Sequence, residues 1–455
     1  MGKYFGTDGI RGKANVHPMS PDFVLKLGQA IGLHFKKTYA NPRILIGKDT
    51  RRSGYMLEQA LCSGICSVGV DVSFLGPLPT PGIAYLTRGM RACAGIVISA
   101  SHNPYYDNGI KIFSGNGFKL PDAIEDELEE IVAKSPILEE FPVDFKIGRA
   151  KRIDDAIGQY AVFLKEQFPK HLTLEGLRIV LDCANGASYK VAPKVFSELG
   201  AELFVVGNEP NGKNINDQCG ALYPEKVKNL VSLYKADIGL AFDGDADRLI
   251  VVDDEGNIVD GDQIMAISAL YYKKRERLNK STVVATVMSN MGLDIAMKKA
   301  GVKVVRTKVG DRYVVDEMRR NGYNLGGEQS GHLIYSDSST TGDGILAALH
   351  LLEAICEQGR PISELRKCME VLPQVLKNVP VKEKLPLEKM PLVQAKISEC
   401  EKALGTKGRV LFRYSGTENL ARVMLEGEDS GEIETLANSI CHALKKSFSQ
   451  EDPHD

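Results

Sequence analysis

The sequence predicts an α/β protein with three similar α/β domains and a smaller C-terminal α+β domain, arranged around a central cleft. Three observations lead to this prediction. A pattern of strand, turn, helix and strand occurs three times, and each copy is followed by a short apolar run and a polar loop. The pattern changes after residue 368, where prolines become frequent. The 455 residues also exceed what a single core usually supports.

Each copy of the pattern begins and ends with a short apolar strand, and a turn containing Gly or Ser and then a helix lie between the strands. Strands of this composition are typically buried on both faces of a sheet. The paired segments are RILIG at 43–47 with GVDVSFLG at 69–76, LRIVL at 177–181 with GAELFVVG at 200–207, and TVVATV at 282–287 with GVKVVRTK at 301–308.

Polar linkers divide the copies from one another. Residues 134–150 separate the first copy from the second, and the turn DDEGN at 253–257 precedes the third. The C-terminal region contains strands at 409–412 and 421–426 and a helix at 433–444. We therefore predict domains at 1–150, 151–257, 258–368 and 369–455.

The composition is that of a soluble globular protein. The formal net charge is −2, and 43% of the residues are hydrophobic and 25% charged, so nothing indicates a nucleic-acid partner. No apolar run reaches transmembrane length and no apolar signal segment is present, so no membrane partner is expected. The nine scattered cysteines predict free thiols and a cytoplasmic location.

The first polar loop, SASHNP at 99–104, follows an apolar run and contains Ser101 and His102. We do not expect these two side chains to form a dyad, because neighbouring side chains in sequence seldom face each other. A serine hydrolase would need a G-x-S-x-G motif, and Ser99 and Asn103 replace its glycines. A polar turn closed by Pro104 is the alternative to a reactive serine.

The second polar loop, DGDADR at 243–248, places three carboxylates at alternate positions after an apolar strand. Oxygen ligands of this kind suit a hard divalent cation, and three of them leave positions open for a phosphate oxygen, which favours Mg²⁺. An EF-hand is excluded, because its sixth position would be Arg248 and its twelfth Asp254. The alternative is a solvated acidic turn, which would leave three like charges without compensation.

Two further loops offer polar groups for a ligand. GGEQSGH at 326–332 combines hydrogen-bond donors and acceptors that suit sugar hydroxyls, with a tight Gly turn as the alternative. RYSGTEN at 413–419, with Arg422 beyond it, offers guanidinium, hydroxyl and main-chain N–H groups that suit a phosphate, with a polar hairpin as the alternative. Loops at the ends of α/β strands commonly gather ligands, so these segments are expected at one cleft.

Five stretches together resemble the α-D-phosphohexomutase superfamily, in the same order along the chain. The resemblance implies mixed sheets in the three α/β domains and one Mg²⁺ per chain. It also implies a role for each of the following groups. Ser101 would carry a phosphate, and Asp243, Asp245 and Asp247 would hold Mg²⁺ with an oxygen of phosphoserine 101. Glu328 and Ser330 would contact sugar hydroxyls, and Arg413, Ser415, Gly416, Thr417 and Arg422 would bind the non-reacting phosphate. The stretches are YFGTDGIRG at 4–12, SASHNPYYDNGIK at 99–111, DGDADR, GGEQSGH and RYSGTEN.

The resemblance implies an isomerase that interconverts glucosamine 6-phosphate and glucosamine 1-phosphate, feeding UDP-N-acetylglucosamine synthesis. Glucosamine 1,6-bisphosphate or a related hexose bisphosphate would serve as intermediate or activator. Arg11, His102, Lys111 and Arg248 are expected to support the reaction, and the acid/base is left open among the neighbours of Ser101. The alternatives are the same chemistry on glucose or mannose phosphates and a sugar-phosphate sensor without activity. The oligomeric state is open, with a homodimer as one option.

The sequence departs from the family's usual motifs at three positions. Tyr414 and Asn419 replace two prolines of the phosphate loop, which is expected to loosen that loop without removing a contacting group. Ala246 stands where glycine is frequent and is expected to restrict the turn of the carboxylate loop.

Overall fold

The computed structural model describes residues 2–6, 8–134, 141–414 and 419–449. The chain divides into two compact units. The first comprises Met1–Met288 and Gly301–Cys368, and the second comprises Ser289–Ala300 and Met369–Asp455. Among the helices in the described ranges, none combines the length and the apolar character needed to cross a membrane.

The first sheet has six strands in the order β1-β5-β4-β2-β3-β6. The central strand β2 pairs in parallel with β3 and β4, whereas β5 pairs antiparallel with β4 and β1. Helices α1 and α2 pack closely because glycines face the neighbouring backbone: a Cβ on Gly64 would lie 2.1 Å from the carbonyl oxygen of Leu25. The elements are β1 (Ile10–Lys13), α1 (Pro21–Thr38), β2 (Arg43–Lys48), α2 (Arg52–Ser67), β3 (Asp71–Pro77), α3 (Thr80–Gly89), β4 (Ala94–Ile98), β5 (Asp107–Ser114), α4 (Asp122–Lys134) and β6 (Ala150–Arg152).

The second sheet has five strands in the order β11-β10-β9-β7-β8. Its strand β7 pairs in parallel with β8 and β9, and β9 pairs antiparallel with β10, so the carboxylate loop is the connection of a β-hairpin. The elements are α5 (Ala156–Glu166), β7 (Arg178–Asp182), α6 (Val191–Glu198), β8 (Glu202–Val206), α7 (Glu225–Tyr234), β9 (Ile238–Phe242), β10 (Leu249–Asp253) and β11 (Ile258–Val259).

The third sheet has four strands in the order β13-β12-β14-β15. Strand β12 pairs in parallel with β13 and β14, and β15 pairs antiparallel with β14. Of the elements in this region, helix α9 is assigned to the second compact unit. They are α8 (Gly261–Lys274), β12 (Thr282–Thr286), α9 (Met291–Lys299), β13 (Lys303–Thr307), α10 (Asp311–Asn321), β14 (Leu325–Gly327), β15 (Leu333–Tyr335), α11 (Gly344–Gln358) and α12 (Ile362–Leu365).

The C-terminal sheet has three antiparallel strands in the order β16-β18-β17. Its apolar core includes Val393 and Ile397 from α13, Val423 from β18 and Ile433 and Ile440 from α14. The elements are β16 (Gln374–Pro380), α13 (Pro391–Leu404), β17 (Gly408–Tyr414), β18 (Leu420–Gly427) and α14 (Ser430–Ser449).

The predicted fold class is confirmed in its secondary structure, because three mixed sheets with flanking helices precede a smaller α+β sheet. The nine cysteines carry free thiols, five of them buried, as predicted. The exact domain boundaries proposed from the sequence stay predictions.

Candidate functional site

Ser101 lies in the turn between β4 and β5, just beyond the carboxyl end of β4. The residue is 2% exposed and has a φ of 51°, a left-handed conformation that serine rarely adopts. Its main-chain N–H donates to Ser99 Oγ at 2.9 Å. The hydroxyl is thus held at the end of a buried strand, where α/β proteins commonly bind ligands.

The side chains of Ser101 and His102 do face each other, and the expectation that they would not is wrong. Ser101 Oγ lies 3.2 Å from His102 Nδ1. In extended backbone successive side chains point to opposite sides, but the left-handed φ of Ser101 breaks that alternation. Burial, and then the positive charges of Arg248 and Arg11, lower the pKa of His102 to about 4. The imidazole is therefore neutral at neutral pH.

The three aspartates of the second loop converge beside Ser101. Ser101 Oγ donates to Asp243 Oδ2 at 2.6 Å. One oxygen each of Asp243, Asp245 and Asp247 lies within 4.8 Å of the others, and all three residues are buried. Burial, and then the charges of Asp247 and Asp245, raise the pKa of Asp243 well above its usual range. The fold thus brings the predicted metal ligands to the predicted serine.

The carboxylate cluster fits a divalent cation. Asp245 Oδ1 and Asp247 Oδ1 are buried and have no hydrogen-bond partner among the described residues. Buried carboxylate oxygens normally have a partner, and a hard cation with oxygen ligands would supply one.

The turn of this loop has tight backbone requirements. A Cβ on Gly244 would lie 2.5 Å from the carbonyl oxygen of Ser101, so only glycine allows the two loops to approach. Ala246 has a φ of 57°, which is unfavourable for any residue with a Cβ. The restriction expected at position 246 therefore takes the form of an alanine held in the left-handed conformation.

Lys111 reaches the cluster from β5 and is 2% exposed. Its Nζ lies 3.0 Å from Asp245 Oδ2, 3.1 Å from Asp8 Oδ2 and 3.5 Å from Asp247 Oδ2. Burial lowers the pKa of Lys111, but these three carboxylates outweigh burial and raise it. The ammonium group therefore stays charged and offsets part of the negative charge of the cluster.

Lys111 belongs to a ring of alternating acidic and basic side chains beside the three aspartates, which we call the charge ring. Lys119 Nζ contacts Asp8 and lies 2.6 Å from Asp311 Oδ2. His332 closes the ring, with Nε2 3.6 Å from Asp311 Oδ2 and Nδ1 3.6 Å from Asp247 Oδ2. The members in order are Asp247, Lys111, Asp8, Lys119, Asp311 and His332.

Sequence reasoning missed Asp8, Lys119 and Asp311 as site residues. Each lies in a polar segment without a recognisable spacing, although Asp8 falls within the stretch YFGTDGIRG.

Burial lowers the pKa of His332, but the carboxylates of Asp247 and Asp311 raise it to about 9. The Gly342 N–H, which donates to His332 Nε2 at 3.1 Å, instead favours the neutral ring. Because a main-chain N–H cannot lose its proton, Nε2 is unprotonated in this geometry, and His332 belongs to the charge ring as a neutral imidazole despite the raised pKa.

Two arginines predicted to support the site are also brought to it. Arg11, on β1, contacts Asp8, and its Nη1 lies 3.5 Å from Asn103 Oδ1. Arg248 donates its main-chain N–H to Asp243 Oδ1 at 3.2 Å, and its Nε lies 3.9 Å from Asp247 Oδ1. Positive groups therefore flank the serine and the carboxylates.

The GGEQSGH loop connects β14 and β15 and lies against the carboxylate hairpin. The Leu249 N–H donates to the Gly331 carbonyl at 3.0 Å. Glu328 Oε1 accepts from the Gly310 N–H at 3.0 Å, and Ser330 Oγ donates to Glu328 Oε2 at 3.4 Å. Glu328 is half-buried and Ser330 is exposed, so both can reach a ligand.

Arg413 and Arg422 form a facing pair within the C-terminal sheet. They lie directly opposite each other on β17 and β18. Burial, and then the charge of Arg422, lower the pKa of Arg413. Like charges at facing positions are unfavourable, and an anion between them would relieve the repulsion. Ser415, Gly416 and Thr417 lie outside the described residues.

Family models match the chain in four consecutive parts. They are described as phosphoglucomutase/phosphomannomutase α/β/α domain I at residues 2–137, domain II at 158–256, domain III at 260–372 and the C-terminal domain at 376–443. The chain therefore belongs to the phosphoglucomutase/phosphomannomutase family.

Relatives within that family carry a more specific name. A phosphoglucosamine mutase of Anaeromyxobacter sp. (strain Fw109-5) is 58% identical over 98% of this chain and 96% of its own length. One of Pelobacter propionicus is 58% identical over 98% of this chain and 99% of its own.

Solved structures share the fold at lower identity. A Burkholderia thailandensis protein of the phosphoglucomutase/phosphomannomutase family is 24% identical with a TM-score of 0.81, covering 97% of both chains. An N-acetylphosphoglucosamine mutase of Aspergillus fumigatus, solved in complex with GlcNAc-6P and magnesium, is 18% identical with a TM-score of 0.67. It covers 98% of this chain and 96% of its own.

Proposed function

We propose that this protein is a mutase that interconverts glucosamine 6-phosphate and glucosamine 1-phosphate through a phosphate carried on Ser101. The observation that supports this most directly is the 2.6 Å contact between Ser101 Oγ and Asp243 Oδ2, within a group of three buried aspartates. The relatives at 58% identity, which are named phosphoglucosamine mutases, indicate the substrate.

Asp243, Asp245 and Asp247 would hold Mg²⁺ together with an oxygen of phosphoserine 101. When bound, the cation would neutralise charge on the transferring phosphoryl group and orient it. Phosphoryl transfer depends mainly on positioning and charge stabilisation, and this chain's own residues supply both. Lys111, Arg11 and Arg248 place positive charge around Ser101, and His102 places a neutral imidazole nitrogen 3.2 Å from its hydroxyl.

The reaction would proceed in two transfers. In the first, the phosphoryl group leaves Ser101 Oγ for O1 of glucosamine 6-phosphate. The O1 proton passes to a nearby base, and Ser101 Oγ takes up a proton to become a hydroxyl. The product is glucosamine 1,6-bisphosphate. In the second, the bisphosphate has turned over in the site, and its 6-phosphoryl group passes to Ser101 Oγ. The hydroxyl proton of Ser101 is given up, and the sugar O6 takes up a proton. Glucosamine 1-phosphate and phosphoserine 101 result, which balances the cycle.

The remaining polar loops would bind the parts of the substrate that do not react. Glu328 and Ser330 would contact sugar hydroxyls. Arg413 and Arg422, with Ser415, Gly416 and Thr417, would hold the phosphate at the other end of the sugar. The free thiols are consistent with our further proposal that the protein acts in the reducing cytoplasm.

The test is an assay of purified protein with glucosamine 6-phosphate, glucose 6-phosphate and mannose 6-phosphate, preceded by intact-mass measurement. We expect a species heavier by one phosphate and the highest kcat/KM for the amino sugar. Equal kcat/KM values for glucosamine 6-phosphate and glucose 6-phosphate would indicate a hexose phosphate mutase without preference for the amino sugar. Binding of sugar phosphates without turnover by phosphorylated, Mg²⁺-loaded protein would instead favour the sensor.

A further inference from the structure

The guanidinium group of Arg51 is fully buried at the start of α2 and uses its entire donor capacity. Arginine has five N–H donors, and each finds an acceptor here. The acceptors are Asp49 Oδ2 (2.8 Å from Nε), the carbonyls of Ser101 and Asn103 (each 2.8 Å from Nη2), and the carbonyls of Pro104 and Asp107 (the latter 3.1 Å from Nη1).

The main-chain N–H of Ser101 is also held, through Ser99 and Asp49, by the hydrogen bonds around Arg51. Asp49 Oδ1 accepts from the Arg51 N–H at 2.9 Å, and Asp49 Oδ2 accepts from Ser99 Oγ at 2.6 Å. Ser99 Oγ in turn accepts from the Ser101 N–H at 2.9 Å. Both the N–H and the carbonyl of Ser101 are therefore fixed, one through Ser99 and Asp49 and the other directly by Arg51.

A residue of the second sheet's region completes this arrangement, which we call the serine clamp (Asp49, Arg51, Ser99 and Asn216). Asn216 Nδ2 donates to the Ser101 carbonyl at 2.8 Å and to the Asn103 carbonyl at 3.1 Å. The Ser101 carbonyl oxygen thus receives two donors, which fill its two lone pairs. The clamp fixes the Ser101 loop against the hairpin that carries the three aspartates.

We propose that Arg51 is a positioning residue for phosphoryl transfer, which holds Ser101 in its left-handed conformation with Oγ directed at the aspartates. This inference rests on the proposed function, because it concerns Ser101 as the phosphate carrier. The Arg51 side chain bonds Asp49 and main-chain carbonyls rather than the hydroxyl of Ser101. Lysine could not replace it, since an ammonium group has three donors and lacks the planar fork of arginine.

The reaction makes unusual demands on this loop. Ser101 Oγ must donate a phosphoryl group and later accept one, both times in line with a sugar oxygen. A displacement of about 1 Å can reduce a rate by about a hundredfold. A loop in extended conformation would move Oγ away from Asp243, so the clamp determines the rate of transfer rather than the affinity for the sugar.

The experiment compares Arg51→Lys with a matched control, Arg366→Lys. Arg366 also bonds a buried aspartate, with Nε 2.5 Å from Asp253 Oδ2, but it does not contact the Ser101 loop. For each protein, kcat and KM for glucosamine 6-phosphate are measured in the folded fraction, together with the rate of Ser101 phosphorylation by glucose 1,6-bisphosphate.

In Arg51→Lys we expect kcat and the phosphorylation rate to fall by about a hundredfold, with KM within about threefold of the wild type. Arg366→Lys is expected to keep kcat within about threefold even where its melting temperature falls. Ser99→Ala, which removes one link and no charge, is expected to lower kcat by about tenfold.

Three results would overturn the inference: a kcat of Arg51→Lys within threefold of the wild type, an equal loss in both arginine variants, or a loss confined to KM. If Arg51→Lys does not fold, the inference is tested with Ser99→Ala and Asn216→Ala instead. A normal kcat in both variants would contradict the role of the serine clamp in positioning Ser101. Failure of the proposed function would look different, because the wild type itself would show neither phosphoserine nor turnover.

Discussion

Lys119 Nζ lies 2.6 Å from Asp311 Oδ2, and this ion pair joins two segments that are 192 residues apart in sequence. The two side chains are only 13% and 12% exposed, so solvent screens the pair weakly. The same ammonium group contacts Asp8, which in turn lies 3.1 Å from Lys111 Nζ. Lys119 therefore couples the start of α10 to the lysine that contacts the candidate metal ligands.

Replacement of Lys119 by Met should leave Asp8 and Asp311 without their shared cation. Removing one partner of a buried ion pair costs about 3 kcal/mol or more, and the free energy of unfolding should fall by about that amount. Urea unfolding measures it. The control is Lys134→Met, since Lys134 forms an exposed pair with Glu130, and such pairs contribute about 1 kcal/mol or less. Similar small losses in both variants would show that the charge ring contributes little to stability.

Replacement of Ser101 by Ala should abolish turnover and the phosphorylated species while leaving the fold intact, because the clamp holds the main chain of Ser101 rather than its hydroxyl. Kinetic assay, intact mass and circular dichroism measure the three properties. Ser114→Ala, which removes a hydroxyl that bonds only its own turn, serves as the control. Near-normal activity of Ser101→Ala would contradict the phosphoserine mechanism.

Replacement of Asp245 by Asn should weaken Mg²⁺ binding by at least about tenfold. The change removes one anionic ligand, whereas the amide oxygen can still accept the hydrogen bond that Thr80 Oγ1 now donates at 2.6 Å. Calorimetric titration with Mg²⁺ measures the affinity independently of turnover. Asp254→Asn, in the same domain but bonded to Ser363, should bind Mg²⁺ as the wild type does. Equal affinities in Asp245→Asn and the wild type, or full activity after chelation, would rule out this site.

The partly buried position of His102 predicts a pH effect on the metal-free protein. Its pKa is about 4 in the folded state, below the usual value of about 6.5. The unfolded chain therefore takes up the proton first as the pH falls, and stability is lost between about pH 6.5 and 4. Between pH 7.5 and 5, the wild type should lose about 1–2 kcal/mol more than His102→Gln, after allowance for the partial exposure of the ring. Urea unfolding at both pH values measures this difference. Equal losses in the wild type and His102→Gln would contradict burial of a neutral ring.

The central strands of the sheets could be predicted from the sequence, whereas the edge strands could not. RILIG at 43–47 corresponds to β2 at Arg43–Lys48, because an apolar run bounded by turn residues leaves few alternatives. Strands β1 and β6 were not predicted. Their sequences, IRGK and AKR, are short and polar, and β6 is fully exposed. Such strands form because a neighbouring strand offers free hydrogen-bonding groups, which is a property of the fold and not of the segment.

The same distinction applies to the site. The spacing of Asp243, Asp245 and Asp247 could be interpreted because all three ligands lie in one short loop. Arg51 and Lys119 could not be identified in this way. The carbonyl groups that Arg51 holds lie 50 to 56 residues away, and the carboxylates that Lys119 contacts lie 111 to 192 residues away. A lone arginine or lysine in a polar segment has the same local pattern whether it is solvated or buried in a network.

Arg413 faces Arg422 across β17 and β18. In a mutase, one phosphate-binding group would hold the 6-phosphate in one half-reaction and the 1-phosphate in the other. Loss of a charge-assisted hydrogen bond costs about 1.5–3 kcal/mol, which corresponds to about ten- to over a hundredfold in kcat/KM. Arg413→Ala should therefore lose that much for both glucosamine 6-phosphate and glucosamine 1-phosphate, because the same guanidinium serves both. Phosphorylation of Ser101 should remain detectable by intact mass. Lys407→Ala, which removes an exposed cation just before β17, should change neither constant by more than about twofold. A loss in one direction only would show that Arg413 does not belong to a shared phosphate site.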